Sequence, residues 1–80
     1  MNIKSLYQAE KRKSFKVVSV PDIELLRNIG LRTGTNVTVQ TRYAFGGPVL
    51  LKVEDTYEVA LGKDIANNIQ VADVHAESAS

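Results

Sequence analysis

The chain has 80 residues, the length of one small domain, and such a domain hides only about 60% of the surface that its unfolded chain exposes. It contains no cysteine, which excludes disulfides and thiolate metal sites, and its net charge of +1 argues against a dedicated nucleic-acid binder. No apolar run approaches the roughly 18 to 20 residues that cross a bilayer, and the N-terminus lacks the apolar core of a signal peptide, so we expect a cytoplasmic protein.

The N-terminal segment, residues 1–13, is predicted to be weakly structured. Apolar residues at loosely helical spacing between Asn2 and Arg12 indicate at most one turn of helix. The basic cluster Lys11-Arg12-Lys13 reads as a solvated connection, because short runs of like charge usually face water. The β-branched and aromatic residues from Ser14 to Val20 then predict a first strand.

A short helix is predicted at residues 22–29. Pro21 suits the first position of a helix, where a missing N–H costs nothing, and Gly30 can adopt the left-handed conformation that often ends one. The apolar stripe of this helix is wide enough to cover one end of a small barrel. Thr33-Gly34 supplies a second reversal of the chain before the next strand.

Alternating apolar and polar residues predict three further strands. The second strand runs from Thr35 to Tyr43, the third from Val49 to Glu54 and the fourth from Tyr57 to Leu61. In the second strand one face is expected to carry Val37, Val39, Thr41 and Tyr43, and the other Thr38, Gln40 and Arg42. The loop between the second and third strands is glycine-rich, and Asp55-Thr56 is the turn expected before the fourth.

The C-terminal part is predicted to add one helical turn and a last strand. The helical turn begins at Gly62-Lys63-Asp64, and the strand is Ile69-Gln70-Val71. The fold class is therefore mainly β, a small five-stranded barrel over residues 14–74 with one short helix between strands one and two. Such barrels are of the Src-homology-3-like or the oligonucleotide-binding type, and the helical turn before the last strand favours the first. Residues 75–80 are expected to be a disordered tail.

Four motifs in this order resemble the ferrous iron transport protein A (FeoA) family, over about residues 14–74. They are Leu26-x-x-Ile29-Gly30-Leu31-x-x-Gly34-x-x-Val37-x-Val39, Gly47-Pro48-Val49 with Leu51 and Val53, Ala60-Leu61, and Asp64-Ile65-Ala66-x-x-Ile69-x-Val71. One departure is the basic run Glu10 to Lys13, where the family usually has a glycine turn. The resemblance implies a cytosolic Src-homology-3-like accessory protein of ferrous iron uptake. It also implies association with the cytoplasmic part of a FeoB-type membrane transporter, so the chain would reach a membrane only through that partner.

The residues themselves predict no catalytic site. Acid–base or nucleophilic catalysis needs convergent groups, whereas this chain has one histidine near its end and carboxylates scattered on outward positions. Gly46-Gly47 lacks the lysine and helix that a phosphate-binding loop requires. We therefore expect a protein that is not an enzyme and has no cofactor.

Asp73, His75 and Glu77 alternate along an extended segment and are the candidate metal ligands of this chain. They offer three nitrogen or oxygen groups, but a closed site normally needs four fixed ligands, and no others lie nearby in the sequence. The prediction is that the chain has no metal site of its own.

The candidate residues for binding a partner are Leu25, Arg27, Arg32, Arg42 and Phe45. They combine apolar side chains without a clear place in the core with bases that suit an acidic partner. Alternatively, Leu25 and Phe45 simply cover the ends of the barrel while the arginines are solvated. Leu50, on an outer face, is a candidate for weak self-association.

Two other functions stay open from the sequence. A small barrel can bind nucleic acid, and Tyr43, Phe45, Arg42 and Lys52 would form such a face, although the low net charge argues against it. The same barrel also occurs as a regulatory domain attached to DtxR-type metalloregulators, which makes a free-standing regulatory domain the other alternative.

Overall fold

The computed structural model describes residues 2–74, which form one antiparallel sheet and two short helices. The elements in chain order are β1 (Ile3–Ser5), a 3-10 turn (Leu6–Gln8), β2 (Ser14–Ser19), α1 (Glu24–Asn28), β3 (Asn36–Arg42), β4 (Val49–Val53), β5 (Tyr57–Leu61), α2 (Lys63–Asn67) and β6 (Gln70–Asp73). The sheet order is β1-β6-β2-β3-β4-β5. The mainly β class, the helix between β2 and β3 and the helix before the last strand are confirmed.

The predicted barrel of five strands is wrong in strand count, and the observed sheet is open instead of forming a barrel. Residues 2–74 contain six strands, because Ile3–Ser5 pairs with β6, and Ile3 lies opposite Ala72 in that pairing. Strand β6 thus has β2 on one side and β1 on the other. Because both edges of β6 are paired, β6 cannot also pair with β5. The sheet is therefore open, and β1 and β5 are its two edge strands.

The core lies on one face of the sheet and is filled by alternate strand residues. In β4 the buried residues are Val49, Leu51 and Val53, as the alternation predicts. Both helices cover this core, since Leu26 of α1 and Ala66 of α2 are fully buried. The N-terminal segment contributes as well: its predicted helical turn is the 3-10 turn Leu6–Gln8, in which Leu6 is buried.

A bulge in β3 reverses the predicted alternation in its second half. Val39 lies opposite Leu51, but the register shifts after it, so that Arg42 lies opposite the buried Val49. Cross-strand neighbours share a face of the sheet, which places Arg42 on the core side. The prediction that Thr41 and Tyr43 share one face with Val37 and Val39 is therefore wrong, and so is the prediction that Arg42 lies on the other face. Tyr43 is 51% exposed.

Several turns differ from prediction by one or two residues. Helix α1 starts only at Glu24, because Ile23 still has an extended backbone. The hairpin turn between β4 and β5 centres on Glu54 and Asp55, which both have positive φ, one residue earlier than predicted. Arg12 also has a positive φ, of 65°, and so adopts the conformation for which a glycine is favoured. The predicted tail, residues 75–80, lies outside the described residues.

Candidate binding surfaces

The first candidate surface is built on α1 and the turn that follows it. Gly30, with φ of 81°, ends the helix, and the N–H of Leu31 donates to the carbonyl of Leu26, so the chain folds back over the last helical turn. Leu25 projects from the helix and is 47% exposed. Arg27, on the same helix, donates to the carboxylate of Asp22.

Polar contacts hold the turn after α1 in place. Thr35 is buried, and its hydroxyl accepts a hydrogen bond from the Arg32 backbone N–H at 3.1 Å. The backbone N–H of Gly34 donates to the carbonyl of Val17 in β2 at 2.7 Å. Tyr57 of β5 donates its hydroxyl proton to the carbonyl of Ile29. The turn is thus attached to both β2 and β5.

A pocket of about 370 Å³ lies beside this turn. It is lined by Gly30, Arg32, Thr33, Gly34, Thr35, Val53, Glu54 and Tyr57. The Arg32 guanidinium makes no ion pair with the described residues. We call the surface formed by Leu25, Arg27 and Arg32 the helix end.

The second candidate surface lies where the bulge of β3 turns Arg42 inward. The Arg42 guanidinium donates to the carbonyl of Ala9 and lies 5.8 Å from the centroid of the Tyr7 ring. Its Nε is buried and has no hydrogen-bond partner among residues 2–74. The exposed base that the sequence predicted here is instead half-buried against the N-terminal segment.

The loop between β3 and β4 projects beside Arg42. Phe45, at its tip, has a positive φ and a fully exposed ring. The Tyr7 hydroxyl donates to the carbonyl of Gly47 at 2.9 Å, which joins the loop to the N-terminal segment. Lys63 of α2 completes this surface, with its Nζ 5.8 Å from the Tyr7 centroid. We call the surface formed by Tyr7, Arg42, Phe45 and Lys63 the loop end.

The structure separates the five predicted partner-binding residues into two groups. Arg42 lies opposite Val49 at the start of β4, whereas the pocket of Arg32 includes Val53 at its end. These positions are about 13 Å apart along an extended strand. Leu25, Arg27 and Arg32 therefore belong together, and Arg42 and Phe45 form a separate group.

Sequence reasoning missed Tyr7 and Lys63 as members of the loop end. Both come from segments far from the β3–β4 loop in the chain, and no local pattern links them to Arg42. The sequence feature that comes nearest to indicating this surface is the aromatic Phe45 in a glycine-rich loop. Tyr43 and Phe45 are exposed there, but Lys52 lies near the end of β4 away from this loop, opposite Glu58, so the proposed nucleic-acid face is not formed as one cluster.

The metal hypothesis falls mostly on residues that the structure does not describe. Asp73 lies with its Oδ1 3.4 Å from the Lys13 Nζ, while His75 and Glu77 lie outside residues 2–74. Within the described range, no three histidine, cysteine or acidic residues group together as a metal site would need. Neither helix in this range has the length and apolar character of a membrane-spanning segment.

The geometry defines a small β module with two exposed, partly basic ends and a buried apolar core. The FeoA domain model matches residues 4–73, which is most of the chain. The chain belongs to the FeoA family, as its motifs indicated. A search of the curated proteins found no match.

Solved structures of FeoA proteins share this fold. A crystal structure of an iron uptake regulatory protein (FeoA) superposes with a TM-score of 0.81 at 21% identity, covering 92% of this chain and 100% of the other. The NMR structure of a FeoA-like protein from Clostridium acetobutylicum gives 0.77 at 22% identity, covering 92% and 90%.

A manganese-dependent transcriptional repressor in complex with manganese also has this fold in part of its chain. It superposes with a TM-score of 0.84 at 20% identity, covering 92% of this chain but 38% of the repressor. Another structure of a manganese-dependent repressor is covered over 42% of its length, so the chain spans about two fifths of these regulators.

Proposed function

We propose that the protein is a cytosolic accessory protein of ferrous iron uptake that binds the cytoplasmic region of a FeoB-type transporter. The observation that carries the proposal is the FeoA domain match over residues 4–73. In this proposal the open six-stranded sheet with its two short helices is a Src-homology-3-like binding module. In this proposal it acts by binding and has no catalysis of its own, and it meets the membrane only through the transporter.

The helix end is the surface that we propose for the transporter. It combines one exposed apolar side chain, Leu25, with two bases that lie within eight residues of it in the chain. An apolar anchor with charged neighbours is the usual composition of a protein contact. Because Arg27 is paired with Asp22 while Arg32 makes no ion pair with the described residues, Arg32 is the base better able to meet an acidic partner.

Binding of the purified chain to the isolated cytosolic domain of the transporter tests this proposal. We expect the charge reversal R27E/R32E to weaken binding by at least about tenfold, because it places repulsion where the bases stood. The matched control is K11E/R12E, which makes the same change in net charge at another exposed site. Equal binding by all three proteins, with unchanged melting temperatures, would remove the helix end from the proposal. No binding by the unmodified chain would remove the proposal itself.

The structural match to the manganese-dependent repressor supports a second candidate, a regulatory domain like that of DtxR-type metalloregulators. This candidate predicts that metal changes the state of the protein. Calorimetric titration with Mn(II) or Fe(II), repeated with H75A, separates the two functions. Tight binding that H75A abolishes would favour the regulatory domain, whereas no heat of binding favours the accessory protein.

The remaining expectations concern other partners. We propose no nucleic-acid partner, since Arg42 and Lys52 lie on opposite faces of the sheet and Lys52 lies opposite the acidic Glu58. A gel shift at low salt would contradict this if a complex formed.

We also propose weak self-association through Leu50, which is half-buried on β4. The sedimentation coefficient of the unmodified chain should then rise with protein concentration. The rise should be smaller for the L50S variant.

A further inference from the structure

The loop end holds two cations that form no salt bridge with any acid in residues 2–74. Arg42 and Lys63 each lie 5.8 Å from the centroid of the same Tyr7 ring. Neither forms a salt bridge within the described part of the chain, although Lys4, Lys13 and Arg27 all do. Two like charges held around one ring repel each other, so an anion between them would relieve that repulsion.

These cations line a shallow pocket of about 560 Å³. Its lining consists of Tyr7, Gln8, Arg42, Lys63 and Asn67, which includes no carboxylate. The neutral residues are amides and a phenol. Asn67 accepts a hydrogen bond from the Ser5 hydroxyl with its Oδ1, at 3.3 Å, which leaves its NH₂ group for another acceptor. The pocket therefore offers donors and positive charge.

Arg42 is held in place but is incompletely hydrogen-bonded. Within residues 2–74, the Arg42 guanidinium donates a hydrogen bond to the Ala9 carbonyl, and its buried Nε has no acceptor. A guanidinium carries five N–H donors in a fixed fork, and this fork matches the oxygens of a phosphate group. The bulge in β3 is what brings the fork to the pocket, since regular alternation would have placed Arg42 on the opposite face.

We infer that the loop end is a binding site for a phosphate group, held between Arg42 and Lys63 against the Tyr7 ring. Phosphate is favoured over a carboxylate because a phosphate monoester carries about −1.5 to −2 charges near pH 7, which matches two cations. The phosphate belongs either to inorganic phosphate or to a nucleotide. A nucleotide would find the exposed ring of Phe45 beside the pocket, because the Gly46 that follows it packs near the Lys63 side chain.

The test is an amide NMR titration of the full chain with inorganic phosphate and, separately, with a nucleoside monophosphate at constant ionic strength. We expect saturable shifts of the amides of Tyr7, Gln8 and Lys63, with a dissociation constant on the order of 1 mM for inorganic phosphate. K63Q should weaken binding by about tenfold. The matched control K11Q, which removes an exposed base outside the pocket, should leave it unchanged. Because Lys63 is exposed, K63Q is expected to fold even where a substitution of Arg42 does not.

The two phosphate sources give different results. If the nucleotide binds more tightly than inorganic phosphate and F45A removes only that excess, the ligand is a nucleotide. Equal affinities in both F45A and the unmodified chain identify inorganic phosphate. Shifts that do not saturate, that spread over the whole surface or that are the same in K63Q and K11Q would overturn the inference. The helix end takes no part in this experiment, so a negative result leaves the proposed transporter contact untouched.

Discussion

The helix end and the loop end each carry two basic side chains, but the two surfaces differ in how these bases are paired with acids. At the helix end, Arg27 is paired with Asp22, whereas Arg32 makes no ion pair within residues 2–74. At the loop end, Arg42 and Lys63 have no acidic partner within residues 2–74. One unpaired base beside the exposed side chain of Leu25 suits contact with an acidic protein surface. Two unpaired cations around one aromatic ring suit a small anion.

The largest expected effect separates apolar residues that hold the fold from those that do not. Leu26 of α1 is fully buried, so L26A should lower the free energy of unfolding by about 2–5 kcal/mol. Phe45 at the loop end is fully exposed, and F45A should change the free energy of unfolding by less than about 0.5 kcal/mol. Urea denaturation of both variants measures the difference. Comparable losses in the two would mean that the Phe45 ring packs against the protein.

That contrast between Leu26 and Phe45 also shows what could be predicted from the sequence. Strands β2, β4 and β5 and both helices follow from local alternation, helical spacing and glycine positions, and their bounds agree with prediction within about two residues. The helix end is formed by neighbours in the chain, so its residues could be grouped in advance. Local patterns are enough where the contacts are local.

Non-local contacts explain what could not be predicted. Strand β1 has three residues and becomes a strand only by pairing with β6, at the other end of the described chain. No residue type in β3 indicates the bulge, because the residues after it continue the pattern that regular pairing would give. The loop end depends on both features, and for that reason its pocket could not be identified from the sequence.

A smaller effect tests whether hydrogen bonds rather than packing hold the helix end. The Thr35 hydroxyl lies 3.1 Å from the Arg32 N–H and 3.4 Å from the Gly30 carbonyl. Replacing Thr35 by Val keeps the shape but leaves these buried groups without a partner, so T35V should cost about 1–3 kcal/mol. T35S is the matched control, because it keeps the hydroxyl and loses only a methyl group worth about 0.8 kcal/mol. A larger loss in T35S than in T35V would show that packing dominates.

Two glycines with similar backbones allow a direct comparison of the ends. Gly30 and Gly46 both have positive φ, of 81° and 73°, so alanine should cost about 1 kcal/mol at either position. A Cβ at Gly30 would lie 3.2 Å from the Tyr57 hydroxyl, whereas one at Gly46 would meet only the Lys63 side chain at 3.7 Å. G30A should therefore cost about 1 kcal/mol more than G46A, because it disturbs the hydrogen bond from Tyr57 to Ile29.

The variant Y57F provides the control for this comparison. Without the hydroxyl there is no hydrogen bond to disturb, so G30A should cost no more than G46A in a Y57F background. Thermal unfolding is sensitive enough, since 1 kcal/mol corresponds to about 4–8 °C in a domain of this size. An excess cost of G30A that persists in Y57F would place its cause in the backbone and not in the contact with β5.

The smallest expected effect concerns the N-terminal segment that supports the loop end. The Lys4 Nζ donates to the Glu10 carboxylate at 3.0 Å, and this hydrogen bond lowers the pKa of Glu10 below its ordinary value of 4.5. A lowered folded-state pKa contributes stability above the ordinary value, and that contribution is lost as the pH falls through the folded-state pKa. The stability difference between the unmodified chain and E10Q should thus be present near pH 7 and be lost below pH 4.5, as the pH falls through the lowered folded-state pKa. In a K4M background this pH-dependent difference should shrink but persist, because Lys13 and a backbone hydrogen bond also lower the pKa of Glu10. A difference of unchanged size in K4M would mean that Lys4 is not its main cause.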